Sequence, residues 1–229
     1  MIHEEEEEEE ENKSKYKIEI LGEKFSKNLY SHKIILIGHY GVGKTSIINR
    51  LMNKEIDKEY APTISIDVKN LQIKVNDKII QTNIWDCCGN DEFALNTPNL
   101  FKNTSISILI YAINDKEKSF NELQNWYNML KQHSYENIIF LIGNKNDLEK
   151  EREVTKEDVE TFKNKYDDIK IFLEISALNG SYLDKLLENI AITIYEKDKN
   201  EENDKALKNT ITIRKEDLKK KKGKKKKYC

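Results

Sequence analysis

Short apolar runs alternate with amphipathic segments along most of the chain. The first run, HKIILIG at residues 32–38, is rich in β-branched residues and ends in glycine, and a segment of helical character follows at 44–54. This order predicts a strand, a tight turn and a helix. Residues 64–75 and 78–86 alternate apolar and polar positions on either side of an Asn-Asp pair. They predict an antiparallel hairpin.

Three later apolar runs predict buried strands, and three amphipathic segments predict helices. The helix nearest the carboxyl end has one apolar stripe at helical spacing. Strands that alternate with helices favour an α/β fold, which we predict to be a mostly parallel six-stranded sheet with one antiparallel strand and helices on both faces. Ligands of such sheets bind at the carboxyl ends of the strands. The strands are at 105–113, 137–143 and 169–176, the helices at 119–133, 155–166 and 181–197, and the stripe is Leu183, Leu186, Leu187, Ile190 and Ile194.

The two ends of the chain carry opposite charge. Glu4–Glu11 is an unbroken acidic run, whereas Lys219–Lys227 is positive apart from one glycine, so the formal net charge of −2 hides two local extremes. We expect both ends to be disordered. The 229 residues fit one domain with tails. We predict a folded domain at 29–197, an acidic tail at 1–28 and a polybasic tail at 198–229.

Compartment and redox state follow from what the sequence lacks. No apolar run approaches the ~18 residues of a membrane-spanning helix, and the acidic amino end has the wrong sign for a secretory signal. Cys87 and Cys88 are neighbours and Cys229 is the last residue, so the three cannot form a disulfide framework. We expect a cytosolic protein with reduced thiols.

The segment GHYGVGKT, Gly38–Thr45, matches a phosphate-binding loop: a glycine, four residues, a glycine, a lysine, then serine or threonine. It follows a predicted strand and opens a predicted helix, so helix-end amides would point at phosphate oxygens. Lys44 would reach the β and γ phosphates, and the Thr45 hydroxyl would bind magnesium. We call residues 38–45 the phosphate loop. It predicts a nucleoside triphosphate with Mg²⁺ but does not identify the base.

The stretch NKND, Asn144–Asp147, follows a predicted strand at the edge of the sheet where ligands bind. An aspartate there can accept hydrogen bonds from the N1 and N2 donors of guanine, a pair that adenine lacks. Discrimination of this kind can reach about 10⁴ to 10⁵. The stretch therefore predicts that the nucleotide is GTP or GDP.

These motifs, followed by EISAL at 174–178, resemble in order and spacing the small GTPases of the Ras superfamily. Within it the chain looks most like the Rab branch, on the ISID after Thr63, the IWD at 84–86 and KSFNELQNWYNML at 118–130. The resemblance covers about His32 to Lys197. It implies a GTPase that cycles between GTP and GDP.

The resemblance also implies roles for matching positions. Thr45, Thr63 and Asp86 would bind Mg²⁺ directly or through water, and Thr63 and Gly89 would contact the γ-phosphate. The loss of that phosphate would then release both loops, which is an order-to-disorder switch. Lys44, Thr63 and Asn90 would act in hydrolysis. The nucleotide-binding set would be Gly41, Val42, Gly43, Lys44, Thr45, Ser46, Tyr60, Thr63, Gly89, Asn144, Lys145, Asp147, Ser176, Ala177 and Leu178.

Several positions depart from the family's pattern. Asn90 stands where relatives have the glutamine that orients the attacking water, and its side chain is one methylene shorter, so intrinsic hydrolysis should be slow. Tyr40 is bulky where relatives have a small residue; it could obstruct an incoming arginine or point to solvent. Ile56 and Leu178 replace an aromatic residue and a lysine near the base, which could speed nucleotide release. Tyr60 could partly compensate by closing over the nucleotide.

Cys87 and Cys88 stand where relatives usually have threonine and alanine. A vicinal pair without CxxC spacing or a nearby histidine pair is a poor zinc site. We therefore interpret both cysteines as small residues behind a phosphate-facing loop, in preference to a metal or redox site.

Cys229 follows the lysine run and ends the chain, so no CaaX box is present. By resemblance to Rab proteins we expect it to be prenylated. One lipid anchors only marginally, and the lysines would supply the second signal at an anionic leaflet, which predicts reversible attachment to the cytosolic face of an endomembrane. The alternative is a solubilising tail or nuclear address with an incidental cysteine.

The sequence favours the first of three functions. The first is a slow, monomeric, Rab-like GTPase in membrane trafficking that works with an exchange factor, a GTPase-activating protein, effectors and the prenylation machinery. The second is a GTP-dependent scaffold with negligible hydrolysis. Nucleic-acid binding through the lysine tail is the third, and the lack of aromatic residues among the lysines disfavours it.

Overall fold

In the computed structural model, which describes residues 15–55, 63, 66–89, 98–133 and 137–203, the apolar runs form one seven-stranded sheet. Its order across the sheet is β1-β3-β4-β2-β5-β6-β7. Strand β3 is antiparallel to both of its neighbours. The other five strands, in the order β4-β2-β5-β6-β7, pair in parallel, which confirms the predicted mostly parallel α/β fold. The strands are β1 (Ile18–Gly22), β2 (Ser31–Ile37), β3 (Asp67–Val75), β4 (Lys78–Asp86), β5 (Thr104–Ala112), β6 (Ile138–Asn144) and β7 (Ile169–Glu174).

The α-helical segments that connect or follow these strands in the first 192 residues are α1 (Lys44–Leu51), α2 (Leu123–His133), α3 (Lys156–Lys165) and α4 (183–192). Helix α2 begins later than predicted, because Asp115 caps a separate π-helical turn at Lys116–Phe120. Thr155 begins α3 with a reciprocal capping box. None of the helices described combines the length and apolar character needed to cross a bilayer.

The core lies on both faces of the sheet. Successive β2 residues point to opposite faces, so Ile35 and Ile37 pack in one cluster with Trp126 of α2 and Val159 of α3. Buried residues of α1 and α4 lie outside that cluster, among them Ile47, Ile48, Leu186 and Ile190. All nine residues of β5 are buried, as expected for a strand covered on both sides.

The chain divides into two compact units, Met1–Ile192 and Thr193–Cys229. The first contains the whole sheet and helices α1 to α4. Residues 193–203 of the second are helical. The carboxyl tail predicted at 198–229 lies mostly outside the described residues, and its start at residue 198 stays a prediction.

Strand β1 corrects two predictions, because it belongs to the segment 1–28 that was predicted to be disordered and it raises the strand count from six to seven. It pairs with the outer edge of β3, where Ile20 lies opposite Ile73. Lys17 strengthens the pairing: its amide donates to Asn76 Oδ1 at 2.9 Å, and its carbonyl accepts from the Asn76 amide at 2.8 Å. Asn76 is in the turn of the predicted β3–β4 hairpin, so this hairpin holds the amino-terminal extension.

A buried glutamine joins the same extension to the sheet. Gln81 is fully buried on β4, and its Oε1 accepts from the Ser26 amide at 2.6 Å and from Gln72 Nε2 at 3.1 Å. Its Nε2 donates to the Ser26 carbonyl at 3.3 Å and to Ser31 Oγ at 3.2 Å. Residues 26–31 are therefore part of the folded unit, since buried amides are stable only when such bonds are made.

Gln81→Leu should lower the free energy of unfolding by about 1–3 kcal/mol, because it leaves the Ser26 and Gln72 groups without their buried partner. Urea unfolding followed by circular dichroism measures this change. Asn121→Leu replaces an exposed amide and should change stability by less than about 0.5 kcal/mol. Equal stabilities of the two variants would show that the extension is not anchored through Gln81.

Candidate functional site

The phosphate loop lies between β2 and α1, at the carboxyl edge of the sheet. Gly43, the residue before α1, has φ 97°, a left-handed value that favours glycine, and a side chain there would collide with the Asn144 amide. Lys44 is buried and folds back into the loop, where its Nζ donates to the carbonyls of Gly38 at 2.8 Å and His39 at 3.0 Å. The loop therefore holds an ammonium group beside the amino end of a helix, which suits an anionic ligand.

The three predicted magnesium ligands meet next to this loop. Thr45 Oγ1 donates to Asp86 Oδ2 at 2.6 Å and lies 3.0 Å from Thr63 Oγ1. Because the one hydroxyl hydrogen of Thr45 goes to Asp86, the Thr63 hydroxyl is the donor in the second bond. Two hydroxyls from different segments and one carboxylate thus form a single hydrogen-bonded cluster.

Asp86 provides an observation that tests the fit of a magnesium ion. Its Oδ1 is buried and has no hydrogen-bond partner in the part of the chain that is described, so a further partner is required there. Burial raises the pKa of Asp86, and the bond from Thr45 opposes that rise. Mg²⁺ is usually held by one or two carboxylates together with phosphates and water, and the cluster fits this pattern. Among the described residues no group of three or more His, Cys, Asp or Glu could hold a metal alone.

The NKND stretch joins the phosphate loop to the loop after β7. Asn144, the last residue of β6, donates from Nδ2 to the Val42 carbonyl at 2.7 Å, and its Oδ1 accepts from the Ala177 amide at 3.0 Å. One buried side chain therefore fixes the distance between the two loops. Val42 itself is buried and takes part through its backbone.

The residues predicted to read the base lie together beyond Asn144. Ser176 Oγ donates to Asp147 Oδ1 at 2.5 Å and accepts from the Asn179 amide at 3.1 Å, so the buried serine orients the carboxylate. Lys145 has φ 68° at the start of this turn, and burial lowers its pKa. The Asp147 carboxylate, a hydrogen-bond acceptor, and the apolar stem of Lys145 therefore line the same cavity.

Most of the residues described above line one cavity of about 640 Å³, a size suited to a nucleotide-like ligand. Three of them, Asp86, Val42 and Ser176, do not line the cavity, and each is hydrogen-bonded to a residue that does. Tyr60 and Asn90 lie outside the described residues, as do Ile56 and Cys229. The predicted residues that line the cavity are Gly41, Gly43, Lys44, Thr45, Ser46, Thr63, Gly89, Asn144, Lys145, Asp147, Ala177 and Leu178; Tyr40, Asn49, Cys87 and Leu148 line it as well.

The stretch WDCCG, residues 85–89, approaches the phosphate loop from the end of β4. A side chain on Gly89 would overlap the backbone of His39 and Tyr40, so only glycine fits this close approach. Cys87 is buried beside it, and desolvation raises the pKa of its thiol to about 12, so the thiol is protonated near neutral pH. A protonated, buried thiol is a poor nucleophile and metal ligand, which favours its interpretation as a small packing residue.

Tyr40 belongs to the phosphate loop. It lines the cavity but is 57% exposed, and its ring lies 4.0 Å from that of His39. The ring is therefore exposed to solvent, and the obstruction of an incoming arginine stays a prediction.

The sequence interpretation missed one contact. Arg50 of α1 donates to the carbonyls of Ala177 and Leu178. No residue-type signal points to this contact, because both acceptors are backbone atoms.

A strand that leads through a glycine-rich loop into a helix, with a hydroxyl and carboxylate cluster beside it, defines a phosphate-binding nucleotide site on an α/β sheet. A family model described as Ras family matches residues 33–196, most of the chain. The chain belongs to the Ras family and is a small GTPase, a nucleotide-binding switch. Members of this family bind GTP and GDP, typically with Mg²⁺.

Proposed function

We propose that this chain is a Rab-like switch in membrane trafficking that binds GTP or GDP with Mg²⁺, hydrolyses GTP slowly and recruits effectors in its GTP form. The Rab-type segments at 64–67, 84–86 and 118–130 support the choice of branch. The observation that carries the switch is the contact of two separate segments with one phosphate loop: Thr63 through Thr45, and Gly89 through the backbone of His39 and Tyr40.

The residues of the site would divide the work between phosphates and base. Lys44 would exchange its bonds with Gly38 and His39 for bonds to phosphate oxygens. Bound Mg²⁺ would neutralise phosphate charge, with Thr45 and Thr63 as ligands and Asp86 holding a metal-bound water. Asp147, oriented by Ser176, would accept from guanine, while Lys145 would pack along the base. Loss of the γ-phosphate would remove ligands from both Thr63 and Gly89 and release both segments.

Asn90→Gln should increase single-turnover GTP hydrolysis by up to about 10²-fold, because the longer side chain returns the amide to the position that orients the attacking water. The measurement is release of labelled phosphate from protein preloaded with GTP, without an activating protein. Asn90→Ala is the matched control and should be no faster than the wild type. An unchanged rate in Asn90→Gln would contradict the geometric argument.

The same assay tests the proposed biological class. Addition of a Rab-type activating domain, which supplies its own glutamine and arginine, should accelerate the wild type strongly. No acceleration would favour a GTP-dependent scaffold, for which the exposed Tyr40 ring in the cavity lining offers a physical reason.

Membrane attachment would combine one prenyl group on Cys229 with the lysines at 219–227. Both lie outside the described residues, and the proposal rests on their sequence. Mass spectrometry of membrane-bound protein tests it, since an unmodified Cys229 in that fraction would exclude the lipid.

A further inference from the structure

Arg50 connects helix α1 to the loop after β7. Its Nε donates to the Ala177 carbonyl at 3.0 Å, and its Nη2 donates to the Leu178 carbonyl at 2.6 Å. These acceptors lie more than 120 positions away in the sequence and belong to consecutive residues. The rigid, planar guanidinium can satisfy two such acceptors at once, which a lysine ammonium cannot do with the same geometry.

The loop at 176–178 is also held at Ser176, by backbone hydrogen bonds with the residues that follow the loop. The Leu178 side chain is 65% exposed, so burial does not fix its position. Asn144 holds the Ala177 amide from the inner side at 3.0 Å. Arg50 holds the carbonyl of the same residue, so the two side chains fix Ala177 from both ends.

The helix that carries Arg50 begins inside the phosphate loop. Lys44 is its first residue and Arg50 lies in its last turn, with eight residues in the whole helix. This short helix therefore connects the phosphate loop to the backbone of Ala177 and Leu178. Asn144 makes a parallel connection, because its Nδ2 binds the Val42 carbonyl.

We propose that Arg50 is a positioning residue for guanine nucleotides: it holds the Ala177–Leu178 backbone against the base and so slows nucleotide release. This role rests on the proposed function, in which residues 176–178 complete the base pocket. Arg50 touches neither the phosphates nor the metal cluster in this role, so its effect is common to GDP and GTP.

A purely structural role makes a different prediction. A basic residue in the last turn of a helix also stabilises the helix dipole. Such an arginine would change thermal stability without changing the rate at which bound nucleotide leaves. The dissociation rate therefore distinguishes the two roles.

Arg50→Ala should increase the dissociation rate of a fluorescent GDP analogue by about 10- to 100-fold, the range expected for the loss of hydrogen bonds from a charged donor. The GTP analogue should show the same factor to within about threefold. The factor should persist when EDTA removes Mg²⁺. Arg50→Lys should fall between Arg50→Ala and the wild type, and Lys54→Ala, which removes an exposed charge just after α1, should match the wild type.

Each other outcome overturns a defined part of the proposal. An Arg50→Ala rate within twofold of the wild type would exclude the positioning role, as would a factor present for one nucleotide only or lost in EDTA. If Arg50→Ala fails to fold, Arg50→Lys carries the same comparison and must release both nucleotides faster than the wild type. A wild-type protein that binds no guanine nucleotide would instead overturn the proposed function itself.

Discussion

Asp147→Asn should weaken GDP binding by about 10⁴-fold and create affinity for xanthosine diphosphate. Ser176 holds Oδ1 of the carboxylate at 2.5 Å, so the amide nitrogen of asparagine would replace Oδ2. That nitrogen is a donor and would face the donor groups of guanine, leaving buried polar groups unpaired. Xanthine carries a carbonyl oxygen in place of the 2-amino group of guanine, and this oxygen would accept a hydrogen bond from the asparagine nitrogen.

Competition binding against labelled GDP and labelled xanthosine diphosphate measures this change in preference. Asp167→Asn makes the same chemical change at an exposed position and should leave GDP binding unchanged. If Asp147→Asn retains GDP affinity to within tenfold of the wild type, the Asp147 carboxylate does not read the base.

Lys44→Ala should weaken GDP and GTP binding by roughly 10³-fold. The buried ammonium can make charge-assisted bonds to two phosphate oxygens, each worth about 1.5–3 kcal/mol, and about 1.4 kcal/mol corresponds to a factor of ten. Equilibrium titration with each nucleotide in Mg²⁺ measures the loss.

The control for Lys44 is Lys118→Ala, which removes an exposed positive charge and should leave both affinities unchanged. Guanosine should bind Lys44→Ala and wild type equally, because it has no phosphates. An effect on guanosine equal to the effect on GDP would show that the substitution disturbs the whole cavity rather than its phosphate half.

The central strands could be predicted because each shows a local pattern. Thr104–Ala112 is buried along its whole length and has an almost continuous apolar sequence, and the β3–β4 hairpin turns at the Asn-Asp pair. Strand β1 could not be predicted in this way. It has only five residues, and its partner β3 lies about 50 positions later, so its stability depends on a distant edge rather than on its own sequence. Gln81 looks like a surface residue in the sequence, and only the amino-terminal extension makes it a buried one.

The site was predictable where residue type determines chemistry. Lys44, Thr45 and Asp147 were found because phosphate, magnesium and guanine each require a particular functional group, and the structure brings these residues to one cavity. Arg50 was not found, since it binds carbonyl groups that every residue possesses. The roles predicted for Tyr60 and Asn90 depend on segments outside the described residues and stay predictions.

Calorimetric titration of the nucleotide-free protein with GDP and with ADP, each in the presence of Mg²⁺, tests the central claim most directly. We expect saturable GDP binding and ADP binding weaker by at least about 10⁴-fold, because adenine lacks the donor pair that Asp147 would accept. Equal binding of the two nucleotides, or binding of neither, would contradict the assignment of this cavity as a guanine nucleotide site.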